Sequence, residues 1–485
     1  FTHSKTGTVG LWAEGTQFTS PGNGNVYYPN IFTPNNYYGN MSSVGKGDHW
    51  NTEKRLNAVF ATAQFGYKEG LFIDVTARND WSSTLAFTDN VSFFYPSVGA
   101  SFLLNKFADL GPKVDLVKVR ASYSIVGNDV PVYMTNLLYS LGSQGSITAP
   151  DNAPFRTLKP EMTHSIEAGF DGAFFNNRLN VSATWYKTNT KNQFFSVASP
   201  YESGLRNRYV NAGNVQNQGI ELTASWYEQF SNDFSWETGV NFSYNDNKIV
   251  ELVDDLPNGL TLSNFGGAKI ILTEGGSYGD LYVRQLLKDE SGKLQKNEKG
   301  EPVIGDDNND QLKYAGNMNS KVYAGWNNTF RYKNFVLSML IDARFGGKVI
   351  SMTEATLDGW GVSKRSGEAR DAGSITVDGV SFDPRAWYET TGASNFNSPY
   401  ANENYVYSAT NVRLRELSFG YTFRNLLGNG KNVTASIIGR NLFFFYKDAP
   451  CDPDVSAGTG NGWQGIDMFA LPTSRSFGLN LKLNF

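Results

Sequence analysis

Cysteine and histidine are scarce: Cys451 is the single cysteine, and His3, His49 and His164 are the three histidines in 485 residues. A lone thiol excludes a disulfide framework and a cysteine zinc cluster, and it says little about redox compartment. Charge of one sign is missing too. Against 46 Asp+Glu stand 42 Lys+Arg, a net charge of -4 with no long basic run, so no nucleic-acid partner is expected. No apolar run reaches the ~18 residues that a membrane-spanning helix needs. The chain begins at Phe1 with neither an initiator Met nor the basic and apolar regions of a signal peptide, and it reads as a processed or incomplete chain. A soluble β protein and a membrane β-barrel remain.

Catalytic patterns are also wanting. H-E-x-x-H and G-x-x-x-x-G-K-[ST] do not occur. The stretch Gly275 to Gly279 (GGSYG) matches G-x-S-x-G, but it lies in a long loop without the strand and helix of a nucleophile elbow. No catalytic residue is assigned, and the chain is not expected to be an enzyme. Asp306, Asn308 and Asp310 place oxygens at alternate positions, as a calcium loop would. Gln311 stands where such a loop needs glycine and Asn317 where it needs a bidentate glutamate. A solvated acidic turn is therefore preferred, and calcium at these three residues is the one metal or cofactor considered.

What is present is aromatic residues, 34 Phe, 25 Tyr and 10 Trp, set in a recurring alternation of period two. From Phe477 onward, Phe477, Leu479, Leu481, Leu483 and Phe485 share one face, while Gly478, Asn480, Lys482 and Asn484 share the other. Phe335, Leu337, Met339, Ile341, Ala343 and Phe345 likewise oppose Ser338, Asp342 and Arg344. Marking every such run predicts fourteen strands, near 1–15, 54–67, 70–80, 93–104, 113–126, 161–174, 178–191, 214–229, 233–248, 320–332, 335–346, 411–424, 432–446 and 473–485. Between Leu414 and Leu417 the apolar phase slips by one residue, as a β-bulge requires.

Connections alternate between two classes. Short ones fall around Lys68 and Glu69, Asn176 and Asn177, Ser231 and Asn232, Lys333 and Asn334, and Gly428 to Gly430, with a somewhat longer one near 105–112. Long ones run over about 127–160, 249–319, 347–410 and 447–472, with shorter members near 81–92 and 192–213. Short turns on one rim and long loops on the other describe an outer-membrane barrel, all-β and antiparallel. A tandem of soluble β-sandwiches would also alternate. Loops of some 60–70 residues would however be unusual in it. In hydrocarbon every backbone amide must be paired, which forces β structure to close on itself with lipid outside. Tyr67, Trp185, Trp226, Tyr244 and Tyr421 would then sit in interfacial girdles.

Several segments resemble the C-terminal barrel portion of SusC-like (SusC/RagA family) TonB-dependent transporters of Bacteroidota. They are Arg78 to Ser83 (RNDWSS), Tyr95 to Gly99 (YPSVG), Val119 to Ser124 (VRASYS) followed by Gly127 and Asn128, Leu158 to Glu161 (LKPE), and Asn211 to Leu222, with NQGIEL at Asn217 to Leu222. Further on come Leu414 to Phe423 (LRELSFGYTF), Gly439 to Phe443 (GRNLF) and Asp452 to Asp454 (DPD). The resemblance implies a 22-stranded barrel with an N-terminal plug, energised through TonB and capped by a SusD-like surface lipoprotein. Residues 1–485 would be its C-terminal part, with the plug and eight early strands (22 minus 14) outside this chain. It also implies a periplasmic C-terminus, long loops outside the cell, and a terminal signal for the barrel-assembly machinery in Phe477, Leu479, Leu481, Leu483 and Phe485.

Function follows as an expectation: import of an oligosaccharide or oligopeptide across the outer membrane, with membrane lipid around a multi-pass barrel. Alternation directs Asp74, Arg78, Lys118, Arg120, Glu167, Asp171, Glu221, Glu237, Asp342, Arg344 and Lys482 into the lumen, where mixed charge suits either a plug or a hydrated path. Flat rings that stack on sugars or pack peptides make Trp81, Tyr201, Trp360, Trp387, Tyr388 and Trp463 the candidate substrate contacts, with loop packing as the alternative for each. A passive diffusion channel would use the same wall without an energy source, and a soluble surface-adhesive β protein would not need the membrane.

Overall fold

The computed structural model describes residues 2–10, 48–135, 139–141, 147–148, 152–153, 157–198, 207–211, 213–252, 259–306, 308, 311–393, 400–426, 428, 430–459 and 462–484. Tyr201, Asp310 and Phe485 lie outside them.

Fourteen strands form one sheet. They are β1 (Thr2–Gly10), β2 (Asp48–Tyr67), β3 (Leu71–Ser82), β4 (Ser92–Leu103), β5 (Val114–Asn128), β6 (Glu161–Phe174) and β7 (Leu179–Lys191). β8 (Asn214–Gln229), β9 (Phe234–Glu251), β10 (Val322–Tyr332), β11 (Phe335–Phe345), β12 (Asn411–Phe423), β13 (Asn432–Lys447) and β14 (Ser476–Asn484) complete it. Each pairs antiparallel with the next, and spatial order follows chain order. A tandem of sandwiches would divide these strands among separate sheets, so the single up-and-down sheet removes that alternative. Every strand read from alternation is present. β2 begins earlier than expected, at Asp48, and β14 later, at Ser476.

Alternation gives the sheet two chemically distinct faces. On β3, Ile73, Val75 and Trp81 are exposed on one side, while Asp74, Arg78, Asp80 and Ser82 take the other. The register carries this parity from strand to strand: Trp185 of β7 pairs with Ile220 of β8, which pairs with Tyr244 of β9, all on the apolar face. Trp226 stands opposite Leu179 on the same face.

Turn chemistry fixes the rim. Lys68 and Glu69 both have φ of 49°, and the Gly70 N–H closes on the Tyr67 carbonyl at 3.1 Å, the mirror-image turn whose twist suits a hairpin. All the short connections share this rim. Asn484 pairs with Asn432, so β14 also ends there. The long connections gather at the opposite rim.

The anticipated phase slip is a bulge. Leu340 of β11 faces Glu416 and Ile341 faces Leu414, which leaves Arg415 as the extra residue of β12. Because side chains alternate with period two, this one insertion keeps Val412 and Leu414 on the same face as Leu417 and Phe419.

The segment 346–410 holds three short helices that alternation did not reveal: α1 (Met352–Gly359), α2 (Lys364–Ala372) and α3 (Pro384–Thr391). Their starts are written locally. Ser351 accepts from the Glu354 N–H, Ser363 from Ser366, and Asp383 from Ala386 ahead of a proline in the first turn. Eight or nine residues are too few to show a helical period.

The long connections do not hang separately. Phe265, Ile270 and Leu281 from 252–321, Ile350, Met352, Tyr400 and Tyr405 from 346–410, and Ile466 from 448–475 are buried in one shared core. Four short strands, Leu260–Phe265, Ala268–Leu272, Asp280–Val283 and Lys313–Asn317, form a sheet of their own within it.

Deleting Arg415 removes the bulge and inverts one half of β12, so the full-length protein should lose its heat-modifiable folded form on a gel. Arg415→Ala keeps the residue count and should retain that form. A deletion variant that still folds would show that the bulge does not set the register.

Candidate functional site: the polar wall and its loop body

The polar face is built from charge pairs between neighbouring strands. Arg78 reaches Asp80 at 2.7 Å, and Tyr95 of β4 donates to the same carboxylate at 2.6 Å. Lys118 and Arg120 of β5 approach Asp171 of β6 at 3.4 and 3.3 Å, and Ser182 of β7 donates to it at 2.7 Å. Arg120 also donates to Thr184 at 2.7 Å. To do so it crosses Gly169, where a Cβ would stand 2.5 Å from its guanidinium carbon. Gln64 donates to Asp74 at 2.7 Å and Ser165 to Glu167 at 3.2 Å. Glu221, Asp342, Arg344 and Tyr323 line a depression of about 350 Å³. Glu237 takes the same face, opposite Tyr227 and Thr329. Lys482 lies on β14, exposed along its whole length. The structure thus puts every charge of the expected set on the polar face, and joins several by salt bridges. Asp80, which belongs with them, was missed although its parity in β3 marks it.

Higher on the wall is a second network, of which strand parity could have found the central arginine but not the loop partners. Arg413 is 2% exposed. It donates to Asp342 of β11 at 2.9 Å, to Asp452 at 3.4 Å and to Asp454. Arg415, brought in by the bulge, donates to Asp342 at 3.0 Å and to Asn441 at 3.2 Å. Arg344 lies 2.9 Å from Asp454, and Thr473 donates to Asp452. Three arginines balance three aspartates, and the network ties the segment 448–475 to the wall. Two of the resembling motifs, LRELSFGYTF and DPD, therefore meet in space.

A third group is made of amides. Asn217 of β8 accepts from Asn245 and Asn247 of β9 at 3.3 and 2.9 Å. Asn247 in turn accepts from the Tyr278 N–H at 2.6 Å and from Ser277 Oγ at 3.2 Å, docking a loop turn on the wall. These residues, with Gln193, Asn319 and Lys321, line a cavity of about 340 Å³. Gln193 Oε1 is buried there with no hydrogen-bond partner among the described residues. In the NQGIEL motif Gly219 has a physical reason: a Cβ there would lie 2.1 Å from the Tyr244 carbonyl and 2.6 Å from Tyr186 Oη. Ser277, the centre of the G-x-S-x-G match, is bound to an amide that cannot act as a base.

The loop aromatics divide. Trp81 lies within β3 on the apolar face, not on a loop. Trp387 and Tyr388 of α3 are 5% and 7% exposed, with Trp387 4.9 Å from the Phe382 ring; they pack a small core with Leu286 and Leu294. That is the packing alternative, not a presented surface. Trp463 is half-buried against the shared loop core. Trp360, just after α1, is 68% exposed. Asp306 and Asn308 are described, and no group of three His, Cys, Asp or Glu able to hold an ion occurs among the described residues. Phe477, Leu479, Leu481 and Leu483 share the apolar face of β14.

Inside the loop body, Asp358 is fully buried and accepts from Arg365 at 2.8 Å, from Ser363 and from Tyr405 at 3.0 Å. Burial and this carboxylate push the Tyr405 hydroxyl well above its ordinary value. Burial, aided by Asp467, pushes the Cys451 thiol up to about 12.

A polar wall with paired charges, a greasy reverse face and a folded body at one rim make part of the wall of a membrane barrel, with a structured mouth. Comparison with known proteins gives the same class. The model of the TonB dependent receptor-like, beta-barrel family matches residues 1–345. The chain belongs to that family, whose members are outer-membrane receptors and transporters. TonB-dependent receptor P3 of Formosa agariphila is 28% identical over 476 residues, covering 89% of this chain and 46% of that protein. TonB-dependent receptor SusC of Bacteroides thetaiotaomicron is 25% identical over 469 residues, covering 90% and 44%. The RagAB peptide importer in its closed-closed state superposes with a TM-score of 0.69 at 20% identity, over 92% of this chain and 49% of that one. The similarity to SusC matches the resemblance read from the motifs. The chain spans about half the length of the curated relatives it matches.

Two outcomes are expected. Arg413→Ala leaves Asp342, Asp452 and Asp454 with only Arg415 and Arg344 to balance them and strips Asp452 of its arginine, so opening of the 448–475 segment should be favoured by about 3–5 kcal/mol, read as faster hydrogen exchange there; unchanged protection would mean that the network does not hold the loop. Because a folded-state pKa near 12 keeps the Cys451 thiol neutral at pH 8, its alkylation by iodoacetamide should run at least ~100-fold slower than for free cysteine.

Proposed function

We propose that the chain forms the barrel wall and outer mouth of a TonB-dependent importer in the outer membrane, acting on oligomeric nutrients, an oligosaccharide or an oligopeptide. The observation that carries this reading is the folded loop body standing over a wall of paired charges and amides in a chain of the TonB-dependent receptor family. A passive pore needs loops only to constrict. Loops that share a buried core form a shaped mouth able to hold a large solute.

On this reading the short-turn rim is periplasmic and the long loops are outside the cell. A SusD-like lipoprotein caps the loop body, and TonB acts on a plug formed by residues beyond this chain. The amide cavity beside Asn217 and Asn247 and the exposed Trp360 are the contacts offered to solute. Hydroxyl-rich and peptide chains both exchange hydrogen bonds with amides, and neither needs a fixed counter-charge to do so. The protein changes no covalent bond: its work is selection at the mouth and passage along a hydrated wall.

The test is uptake of labelled oligosaccharides and oligopeptides by cells expressing the full-length protein, with and without TonB. Uptake of one class should vanish when TonB is deleted, and the purified protein should conduct little in planar bilayers. Uptake that persists without TonB, together with open conductance, would establish a passive channel instead.

A further inference from the structure

On the apolar face of β6 to β9 the chemistry changes abruptly along the strands. From Trp236 to Tyr244 β9 runs nine residues, the length of a membrane-crossing strand. Its partners at the upper end are Ile220 of β8 and Trp185 of β7. Below this row the outward positions are mostly apolar: Val181 and Ala183, Leu222 and Ala224, Val240 and Phe242.

Immediately above it, outward positions become cationic and amide-bearing in register. Lys187 stands opposite Gln218, and Asn189 opposite Gln216, which in turn faces Lys248. Lys191 is one further step toward the long-loop rim. With strands ~4.8 Å apart and outward residues ~6.7 Å apart along a strand, the Cα atoms of the three lysines lie about 12–13 Å from one another.

Two observations set these lysines apart. No hydrogen bond or ion pair engages Lys187, Lys191 or Lys248 among the described residues, whereas Lys118, Arg120 and Arg78 on the opposite face are all paired. Of the acids near them, Asp246 is already held by Lys321 at 2.6 Å, and Glu251 stands across Asn214 from Lys191 with no ion pair between the two among the described residues. Val322 and Phe345 continue the row of Trp185, Ile220 and Tyr244 onto β10 and β11, so the lysines stand above a continuous apolar row.

We propose that this patch binds the phosphorylated saccharide headgroup of an outer-leaflet glycolipid of the lipid A type. The site rests on the orientation given above, with the long-loop rim outside the cell. Lysines just above an aromatic girdle extend their heads to headgroup level. There an anionic phosphate is the counter-charge that the protein does not itself supply. Gln216, Gln218 and Asn189, set between the lysines, match the hydroxyl and amide groups of a sugar headgroup. The acyl chains would lie on the apolar rows below.

The experiment is native mass spectrometry of the full-length protein in mild detergent with added lipid A. Three measurements are compared: wild type with lipid A, wild type with enzymatically dephosphorylated lipid A, and the triple variant Lys187→Gln, Lys191→Gln, Lys248→Gln with lipid A. Removing either the phosphate or the three charges should weaken lipid retention about tenfold or more. A control triple on the loop body, Lys288→Gln, Lys293→Gln, Lys299→Gln, should leave it unchanged. Inorganic phosphate alone should not compete.

Equal retention of the dephosphorylated lipid, equal loss in the control triple, or displacement by free phosphate would each overturn the proposal. The comparison of the two lipids uses wild type only, so it stands even if the triple variant misfolds. No solute uptake is read, so a protein that retains lipid A yet moves nothing counts against the importer reading alone.

Discussion

Everything in this structure follows from the need to pair backbone amides where no water can reach them. A strand in hydrocarbon must give each N–H and C=O to a neighbour, and the arrangement that does so with the shortest connections is an up-and-down antiparallel sheet. Twelve of the fourteen strands have a neighbour on both sides, in strict chain order, and β1 and β14 are each paired on one side within this sheet. Once the pairing is fixed, period-two alternation does the rest. One face can be apolar and the other polar only if register never slips by a single residue, and at Arg415 the insertion in β12 is placed so that it does not.

The same rule of compensation governs charge on the polar face. Arg78, Arg120 and Arg413 each lie against carboxylates from their own or a neighbouring strand or from a loop. The Arg413 network has the widest reach. It takes Asp342 from β11 and Asp452 and Asp454 from the connection after β13, so it joins wall to mouth. Removing a single partner leaves like charges in a site with little water, which is why such a network holds its geometry. The shared core above it extends the constraint: Ile466 of the tethered segment packs with Tyr405 and Phe265 from the two longest connections.

How much of this was legible differs by element, for physical reasons. The strands were, because alternation over nine to twenty residues is a long signal, and so was the bulge, because it breaks that signal visibly between Leu414 and Leu417. The helices were not: α1 to α3 are two turns each, and only caps such as Ser351 and Asp383 announce them. The inward charges of the strands were legible by parity. Their partners Asp452 and Asp454 were not, since a loop has no period that says where it docks. Trp387 and Tyr388 misled for the same reason. An aromatic in a long loop looks available until the loop is seen to have a core, and both rings turn out to build it. Trp81 misled differently: its place at the end of β3 belongs to the girdle of the apolar face.

A membrane wall offers charges two ways to be satisfied, within the protein or by the surroundings. On the polar face this chain uses the first for Arg78, Arg120 and Arg413, each of which lies against carboxylates of the protein. On the apolar face the first option is costly, since a carboxylate and an ammonium side by side would both need to lie near hydrocarbon. A cation placed just above the girdle has a better partner in the headgroups themselves. The unpaired lysines beside Trp185 and the paired arginines of the opposite face are thus two outcomes of one requirement. The sheet sorts them by a displacement of a single residue along the strand.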